Sequence, residues 1–455
     1  MRKIIQYMMM ALIAVVLASC ANDISEESTP TVKSNIRFVV DDFPMFEKPS
    51  TRTIGEEDKG KTAWAVGDEI CVKLESKELG TQTATLKYNG VKFEIQDGNS
   101  LCYLDGEPVT AYAYYAPNRR WRNGSLDFKD IYGNPNGTAE FLEATCTVHY
   151  GDNNYVDISF ANATRNYSRL RIATIPKTEI KVDADNFAPT DNPNRLYMTY
   201  TLTSDEKGNA YLYGTFYNNS IVTVKYRGAT LKTYKFSKET ENAKSYVLDV
   251  TVISANSAEE IYSAIKQEVA NSKTAIRLNL ASDAGDNEFN AIREAFENVR
   301  GYGTIDLTLI GCKEIPVNGL YRIMALKSIT LPDVTKIRMD ALSSCLYLQE
   351  ICAPNVSAID EYAFGKCRYL RKVTLGKLTD VRGEANSRSG IFDDINDLYP
   401  DIDLYLPKNQ EVMEFDENSK QYIWKPTGES YFASPDYYDN GIFLGYQFHS
   451  VKSWE

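Results

Sequence analysis

From position 36 to 253 apolar and polar residues alternate with a period of two. Apolar positions alternate with threonine and lysine over 84–88, Asn89-Gly90 favours a tight turn, and the alternation resumes from Val91 to Ile95. Many short strands of this kind predict antiparallel sheets that each bury one face, as one or two β-sandwiches. The polar stretch 161–168 predicts a boundary near Asn162. The same period recurs at 156–160, 212–217 and 246–252.

After residue 253 the period changes to that of helices. Ser257 and Glu260 form a capping-box pattern. The spacing of Ile261, Ile265 and Val269 predicts an amphipathic helix over 258–271. A second helix is expected to turn four apolar residues inward: Phe289, Ile292, Phe296 and Val299.

A repeat of 22 residues follows. A fixed period in several registers predicts a solenoid, whose coils stack over one continuous core. A longer coil is expected first, with residues 276–280 preceding residues 305–309 by 29 positions, and a further coil at 404–407. The registers are Leu307, Ile329, Ile351 and Val373; Cys312, Val334, Val356 and Leu378; and Ile315, Ile337, Ile359 and Val381.

The first twenty residues predict export. Arg2 and Lys3 precede an apolar run over 8–17 that is too short to span a bilayer, so residues 1–19 are interpreted as a signal peptide. The sequence Leu-Ala-Ser before Cys20 resembles the lipobox of bacterial lipoproteins, which implies that Cys20 is the site of lipid attachment. The polar, acidic residues of 20–35 predict a flexible tether. They resemble the surface-export signal of Bacteroides-type lipoproteins, which implies an outer-membrane protein displayed at the cell surface.

Charge and composition narrow the classes of partner. The 50 Lys and Arg against 62 Asp and Glu give a net charge of −12, which argues against nucleic acid. With two histidines in the chain, His-based metal sites and general bases are scarce. Tyrosine is abundant, with 31 residues, which favours strands and contact surfaces. Seven cysteines follow Cys20, an odd number that cannot all pair within the chain. Equivalent cysteines of adjacent coils, Cys345 and Cys367, are expected to be buried thiols.

Four further patterns bear on possible chemistry. Residues 55–62 match the phosphate-loop pattern, but their acidic side chains and the strand pattern that follows argue against a nucleotide site. Two acidic clusters, 183–191 and 393–403, lack the spacing of an EF-hand, so solvated loops are favoured over calcium sites. The basic run 119–122 fits either an acidic partner or a hairpin, and the hairpin is favoured. The two histidines neighbour no catalytic motif, so no enzyme, catalytic residue, metal ligand or cofactor is predicted.

The N-terminal half resembles a known family. Thr51-Arg52-Thr53, Trp64, Gly67-Asp68-Glu69 and residues 111–117 resemble, in order and spacing, the N-terminal domain of the fimbrillin-like surface lipoproteins of Bacteroides-type bacteria. This resemblance implies β-sandwich domains that build pili or act as adhesins. Some members mature by cleavage after an arginine, which makes Arg37 and Arg52 candidate processing sites.

The repeat unit resembles a second family. Its best copy runs from Leu348 to Cys367 and ends in Ala-Phe-x-x-Cys, like the BspA-like leucine-rich repeats of bacterial surface proteins. That resemblance implies adhesion to host or matrix proteins. The predicted fold is mainly β: antiparallel sandwich regions at 36–160 and 161–253, then a leucine-rich-repeat solenoid at 254–455 with a helical N-terminal cap.

Together these features predict a lipid-anchored surface protein that binds a host, matrix or partner-cell protein or glycan through its repeats. A minor or tip fimbrial subunit, assembling with pilin-like subunits, is the alternative. A glycan-binding accessory protein or a polysaccharide-active enzyme is a third hypothesis, and the enzyme would need two carboxylates facing each other in a groove.

Overall fold

The protein is mainly β with several sheets, as the sequence predicts. The computed structural model describes the following residues, to which all structural statements refer: 32–33, 36–47, 49, 59–96, 101–104, 106–117, 120–122, 125–127, 136–150, 154–161, 165–190, 194, 196–381, 390–392, 402–416, 418, 421–426, 442–444 and 446–454.

The first region forms a seven-stranded sheet in the order β2-β11-β10-β7-β3-β4-β5. All neighbours are antiparallel except β2, which pairs in parallel with β11 at the edge. The hairpin predicted around Asn89-Gly90 is confirmed as β4 and β5. The strands are β1 Val32–Lys33, β2 Arg37–Val40, β3 Glu69–Ser76, β4 Gly80–Tyr88, β5 Phe93–Ile95, β6 Tyr103–Leu104, β7 Val109–Tyr115, β8 Arg120–Arg122, β9 Ser125–Asp127, β10 Leu142–His149 and β11 Tyr155–Ile158.

The second region forms a six-stranded sheet with its own apolar core. Its longest strand, β15, pairs with β12 through its first half and with β16 through its second half. The β15–β16 hairpin therefore projects beyond the centre of the sheet. The strands are β12 Ser168–Ala173, β13 Glu179–Pro189, β14 Tyr197–Thr203, β15 Asn209–Tyr226, β16 Ala229–Lys235 and β17 Ser245–Asp249.

A buried ion pair joins the two regions. The side chain of Arg165 is fully buried, pairs with Glu140, and donates to the Pro44 carbonyl (2.7 Å). Its guanidinium carbon lies 4.0 Å from the centre of the Phe46 ring. The polar stretch 161–168, which is predicted to mark a boundary, thus contributes a buried contact. Arg165 pairs there with Glu140 and packs on the Phe46 ring, both of which belong to the first region.

The third region is a solenoid with an eight-stranded parallel sheet in the order β18-β19-β20-β22-β24-β26-β28-β33. Four short strands form a second parallel sheet, β21-β23-β25-β27. The elements are β18 Ile253–Ser254, α1 Ala258–Ala270, β19 Ala275–Asn279, α2 Asp286–Phe296, β20 Ile305–Ile310, β21 Glu314–Ile315, β22 Leu326–Thr330, β23 Lys336–Ile337, β24 Glu350–Ala353, β25 Ala358–Ile359, β26 Lys372–Leu375, β27 Asp380–Val381, β28 Asp403–Leu406, β29 Glu411–Asp416, β30 Gln421–Pro426, β31 Ile442–Phe443, β32 Tyr446–Gln447 and β33 Ser450–Ser453.

The 22-residue registers are confirmed by strand pairing. Leu307 pairs with Ile329, which pairs with Ile351, and that residue with Val373. The longer first coil has a different register from the predicted one, because Ile276 pairs with Leu307, 31 residues away rather than 29. A shift of two residues keeps the same side chains on the buried face, so the apolar pattern alone cannot distinguish the two registers.

The predicted helices and thiols lie in the solenoid. Helix α1 begins after Ser257, whose hydroxyl accepts from the Glu260 amide (3.3 Å), and α2 ends before Val299, which packs against the core from the turn that follows. Cys345 and Cys367 are buried thiols, each donating to a carbonyl of the preceding coil (3.0 and 3.2 Å). Burial raises the pKa of Cys345 to about 12, so this thiol packs as a small neutral residue.

Candidate binding cleft

The parallel sheet of the solenoid turns one face outward. Alternate residues of each strand fill the core, and the others form two polar rows across the strands. We call these rows the outer face. The first row contains Asp306, Ser328, Glu350, Lys372, Asp403 and Ser450, and the second contains Arg277, Thr308, Thr330, Cys352, Thr374, Tyr405 and Lys452.

Within the first row, residues on adjacent coils form hydrogen bonds or ion pairs with each other. Ser328 Oγ donates to Asp306 (2.7 Å), and Lys372 Nζ lies 2.7 Å from Glu350 Oε1. Each pair is 22 residues apart, so the repeat itself sets the contact. The centre of the outer face is therefore a self-paired polar surface.

The β15–β16 hairpin of the second region lies over the outer face. Its tip is fixed to the loops that follow β22 and β24: Arg227 Nε lies 3.1 Å from Asp333 Oδ1, and the Arg227 carbonyl accepts from Asn355 Nδ2 (2.9 Å). Gly228 has a φ of +85°, and a Cβ there would stand 3.4 Å from Pro354, so the turn lies directly against the solenoid. The hairpin and the sheet thus enclose a space between them.

This space, which we call the cleft, has a volume of about 930 Å³. Trp454 lines its far end and donates from Nε1 to the Leu375 carbonyl (2.9 Å). Cations outnumber carboxylates on its walls although the chain as a whole carries a charge of −12. The charged lining residues are Lys225, Lys232, Arg277 and Lys372 against Asp306 and Glu350.

Two of these cations lie close together at the β19 end. Arg277 Nη2 donates to the Leu231 carbonyl over 3.4 Å, and Lys232 Nζ donates to the Asp249 carbonyl (3.1 Å). Burial, followed by the charges of Arg277 and Lys273, lowers the pKa of Lys232, and burial also lowers the pKa of Arg277. The protein thus holds two positive charges where they are poorly solvated.

A stack of exposed tyrosines lies elsewhere on the solenoid. The rings of Tyr302 and Tyr347 are parallel within 5° at 4.9 Å, and those of Tyr347 and Tyr369 within 9° at 5.4 Å. Tyr302 and Tyr369 are 66% and 51% exposed, which leaves ring faces and hydroxyls available for contact. We call these three residues the tyrosine stack.

The predicted processing and lipid sites have different positions relative to the structure. Cys20 and Arg52 lie outside the described residues. Arg37 is exposed at the start of β2, an edge strand, and its amide donates to the Asn154 carbonyl (3.2 Å). Within the described part of the chain, no helix is both long and apolar enough to cross a membrane.

Lys61, the lysine of the phosphate-loop pattern, contacts a carboxylate and several aromatic rings of the first region. Lys61 bonds to Asp68 and Tyr115, and its ammonium lies 5.0 Å from the centre of the Phe43 ring and 5.7 Å from that of Trp64. An aromatic cage and a carboxylate therefore hold the lysine within the fold.

The other candidate motifs are engaged in the fold. Residues 120–122 form the β8–β9 hairpin, with Arg119 outside the described residues. Asp183 pairs with Lys225 (2.7 Å), and Asp403 with His449 (3.0 Å). His149 stacks on a tyrosine. Asp191 and most of 393–403 lie outside the described residues, and the remainder contains no cluster of three or more metal-ligating side chains.

Sequence reasoning missed both the hairpin over the outer face and the tyrosine stack. Tyr347 and Tyr369 are 22 residues apart, so the repeat alignment contained a signal for two members of the stack. Arg277 had no such signal, because its environment depends on Leu231 and Lys232 of another region.

Comparison with known proteins agrees with the solenoid. Residues 290–391 match the family described as "BspA type Leucine rich repeat region", in six copies. No curated protein matches the chain. Among solved structures, a mutant of the shaft pilin SpaA from Lactobacillus rhamnosus GG aligns with 48% of this chain and 94% of that chain, at 12% identity and a TM-score of 0.18. This TM-score is too low to indicate a shared fold. The family match, by contrast, confirms the predicted repeats.

Proposed function

We propose that this protein is a surface-displayed adhesin that binds a host, matrix or partner-cell protein or glycan through the outer face of its solenoid. The observation that carries this proposal is the cleft of about 930 Å³ between the outer face and the β15–β16 hairpin. The solenoid core is made by inward residues, so the outward residues that line the cleft can differ without loss of that core. BspA-type repeats support an adhesive rather than an enzymatic role.

Display is the second part of the proposal. An acylated Cys20 anchors the chain in the outer membrane, and residues 20–35 act as a tether. Because one acyl chain binds a bilayer only marginally, stable anchoring requires several chains on the same cysteine. The regions 36–160 and 161–253 then separate the membrane from the repeat region at 254–455. The buried Arg165–Glu140 pair supports this arrangement, since it fixes one region against the next.

The test uses the full chain on a panel of matrix proteins and glycans. Thr330→Trp places a large ring on the floor of the cleft from a side chain that points away from the core. Lys336→Trp, on β23 of the second sheet, is the matched control. We expect wild type and Lys336→Trp to bind the same panel member and Thr330→Trp to lose that binding. Equal binding by all three proteins, or binding by none, would contradict the proposal.

The fimbrial alternative rests on Arg37, whose exposed position on an edge strand leaves it accessible to a protease. Cleavage after Arg37 or Arg52 would give a mature N-terminus at Phe38 or Thr53 instead of Cys20. Mass spectrometry of the protein extracted from cells separates these outcomes. An enzymatic role has less support, because the two carboxylates of the cleft, Asp306 and Glu350, already bind Ser328 and Lys372.

A further inference from the structure

The cations at the β19 end of the cleft form no direct ion pair among the described residues, although the charges of Asp249 and Asp306 act on Arg277. No described carboxylate forms an ion pair with Arg277, and its Nε is buried without a hydrogen-bond partner. Lys232 Nζ donates to the main-chain carbonyl of Asp249, and Lys273 lines the adjoining cavity together with Asp249 and Glu268. Burying a charge without a partner costs free energy, which a bound anion would recover.

We propose that this end of the cleft binds the carboxylate or sulfate groups of an acidic polysaccharide. The proposal rests on the proposed adhesive function and names the ligand class for the same cleft. The planar guanidinium of Arg277 can bind such a group through two parallel hydrogen bonds, and Lys232 adds a second charge.

The nearby carboxylates, which include Glu268 in the lining of the adjoining cavity, form no ion pair with Arg277. Asp249 accepts from the Thr251 amide (2.9 Å), and Asp306 accepts from Ser328 on the next coil. Both influence Arg277 through their charge without forming an ion pair with it. The guanidinium of Arg277, which lines both the cleft and the adjoining cavity, therefore has no carboxylate of the described residues bound to it.

The rest of the cleft favours a polysaccharide over an acidic peptide. Its floor carries hydroxyl groups, from Thr308, Ser328, Thr330 and Thr374, rather than the apolar pockets that anchor peptide side chains. Rings of Tyr405 and Trp454 line the opposite end from Arg277. From β19 to β28 the outer face crosses five strand spacings, about 24 Å at ~4.8 Å each, so a polymer rather than a single sugar fits its length.

Binding of the full chain to three polymers tests the proposal. Hyaluronan carries carboxylates alone, dextran sulfate carries sulfates alone, and dextran is neutral. We expect one or both of the acidic polymers to bind, dextran to fail, and Arg277→Gln to weaken binding by at least about tenfold. Lys232→Gln should weaken it less, and Lys238→Gln, an exposed lysine outside the cleft, should leave it unchanged. Equal affinity of wild type and Arg277→Gln, or binding of polyglutamate with neither acidic polymer, would overturn the proposal.

A stability measurement separates recognition from a structural role. Replacing a buried cation that has no ion-pair partner with an apolar side chain of similar length removes a desolvation cost, so Arg277→Met should unfold at the same temperature as wild type or higher. A lower unfolding temperature would show that Arg277 supports the fold and would contradict the proposal.

The adhesive function and the anion site can be disproved separately. If the matrix panel shows binding that Thr330→Trp abolishes and Arg277→Gln leaves intact, the adhesive function stands and the anion site is wrong. If neither the panel nor the acidic polymers bind, both are wrong.

Discussion

The solenoid and the two mainly antiparallel sheets before it place their polar side chains in opposite positions. In the sheets a charged pair, Arg165 with Glu140, is buried in the seam, and Lys61 is enclosed by aromatic rings. In the solenoid the inward positions are almost entirely apolar, with thiols such as Cys345, and polar groups lie on the outer face. In the two sheets, charged groups fix one sheet against the other. In the solenoid, charged groups lie on the outer face, where a ligand can contact them.

The largest predicted loss of stability comes from breaking the buried ion pair between Glu140 and Arg165. Glu140→Ala leaves Arg165 buried without its carboxylate, which should cost about 3–5 kcal/mol in the free energy of unfolding. Urea denaturation measures this loss. The double variant Glu140→Ala with Arg165→Met should recover much of it, since no uncompensated charge remains. A Glu140→Ala protein as stable as wild type would show that the pair does not join the regions.

The next effect concerns the contact between hairpin and solenoid. Asp333 is buried, pairs with Arg227, and accepts from the Gly311 amide (3.0 Å). Asp333→Asn keeps a side-chain oxygen for that amide but loses the charge, so we expect a cost of about 1.5–3 kcal/mol in unfolding free energy.

Hydrogen exchange locates this change. Amides of β16 should exchange faster in Asp333→Asn, while those of β3 and β4 in the first region serve as the internal control. Unchanged exchange in β16 would mean that the hairpin is held over the outer face by other contacts.

A smaller effect is expected in the tyrosine stack. Tyr347 lies between two parallel rings, so Tyr347→Ala should lose about 0.5–1.5 kcal/mol of ring interaction in addition to buried area. Tyr347→Phe keeps the ring and is the matched control for stability in thermal unfolding. If Phe and Ala cost the same, the hydroxyl rather than the ring makes the contact.

The smallest effect is at the centre of the outer face. Lys372 and Glu350 are 46% and 42% exposed, so Lys372→Gln should change the unfolding free energy by only about 0.2–1 kcal/mol. Chemical denaturation in low and high salt checks this, because screening should remove the difference between variant and wild type. A large loss that persists at high salt would show that the outer face also supports the fold.

The sequence predicted best those contacts that recur at a fixed separation along the chain. The repeat placed Ile329, Ile351 and their equivalents in the core because each coil contacts only its neighbours at a fixed distance along the chain. The register of Ile276 was wrong because two registers bury the same side chains.

The cleft required contacts that no local pattern encodes. The roof comes from Lys225 to Thr233 and the floor from strands that follow 40 or more residues later. The last strand of the sheet, β33, was likewise not predicted, since Val451 stands in a short segment with little alternation.

The proposed display of the repeat region outside the cell by a lipid anchor is tested most directly on intact cells. Intact cells of the native host would be treated with external protease, and the released peptides and the retained N-terminus read by mass spectrometry. We predict that peptides from 254–455 are released from intact cells while an acylated Cys20 stays with the membrane. Release of those peptides only after lysis would contradict the account.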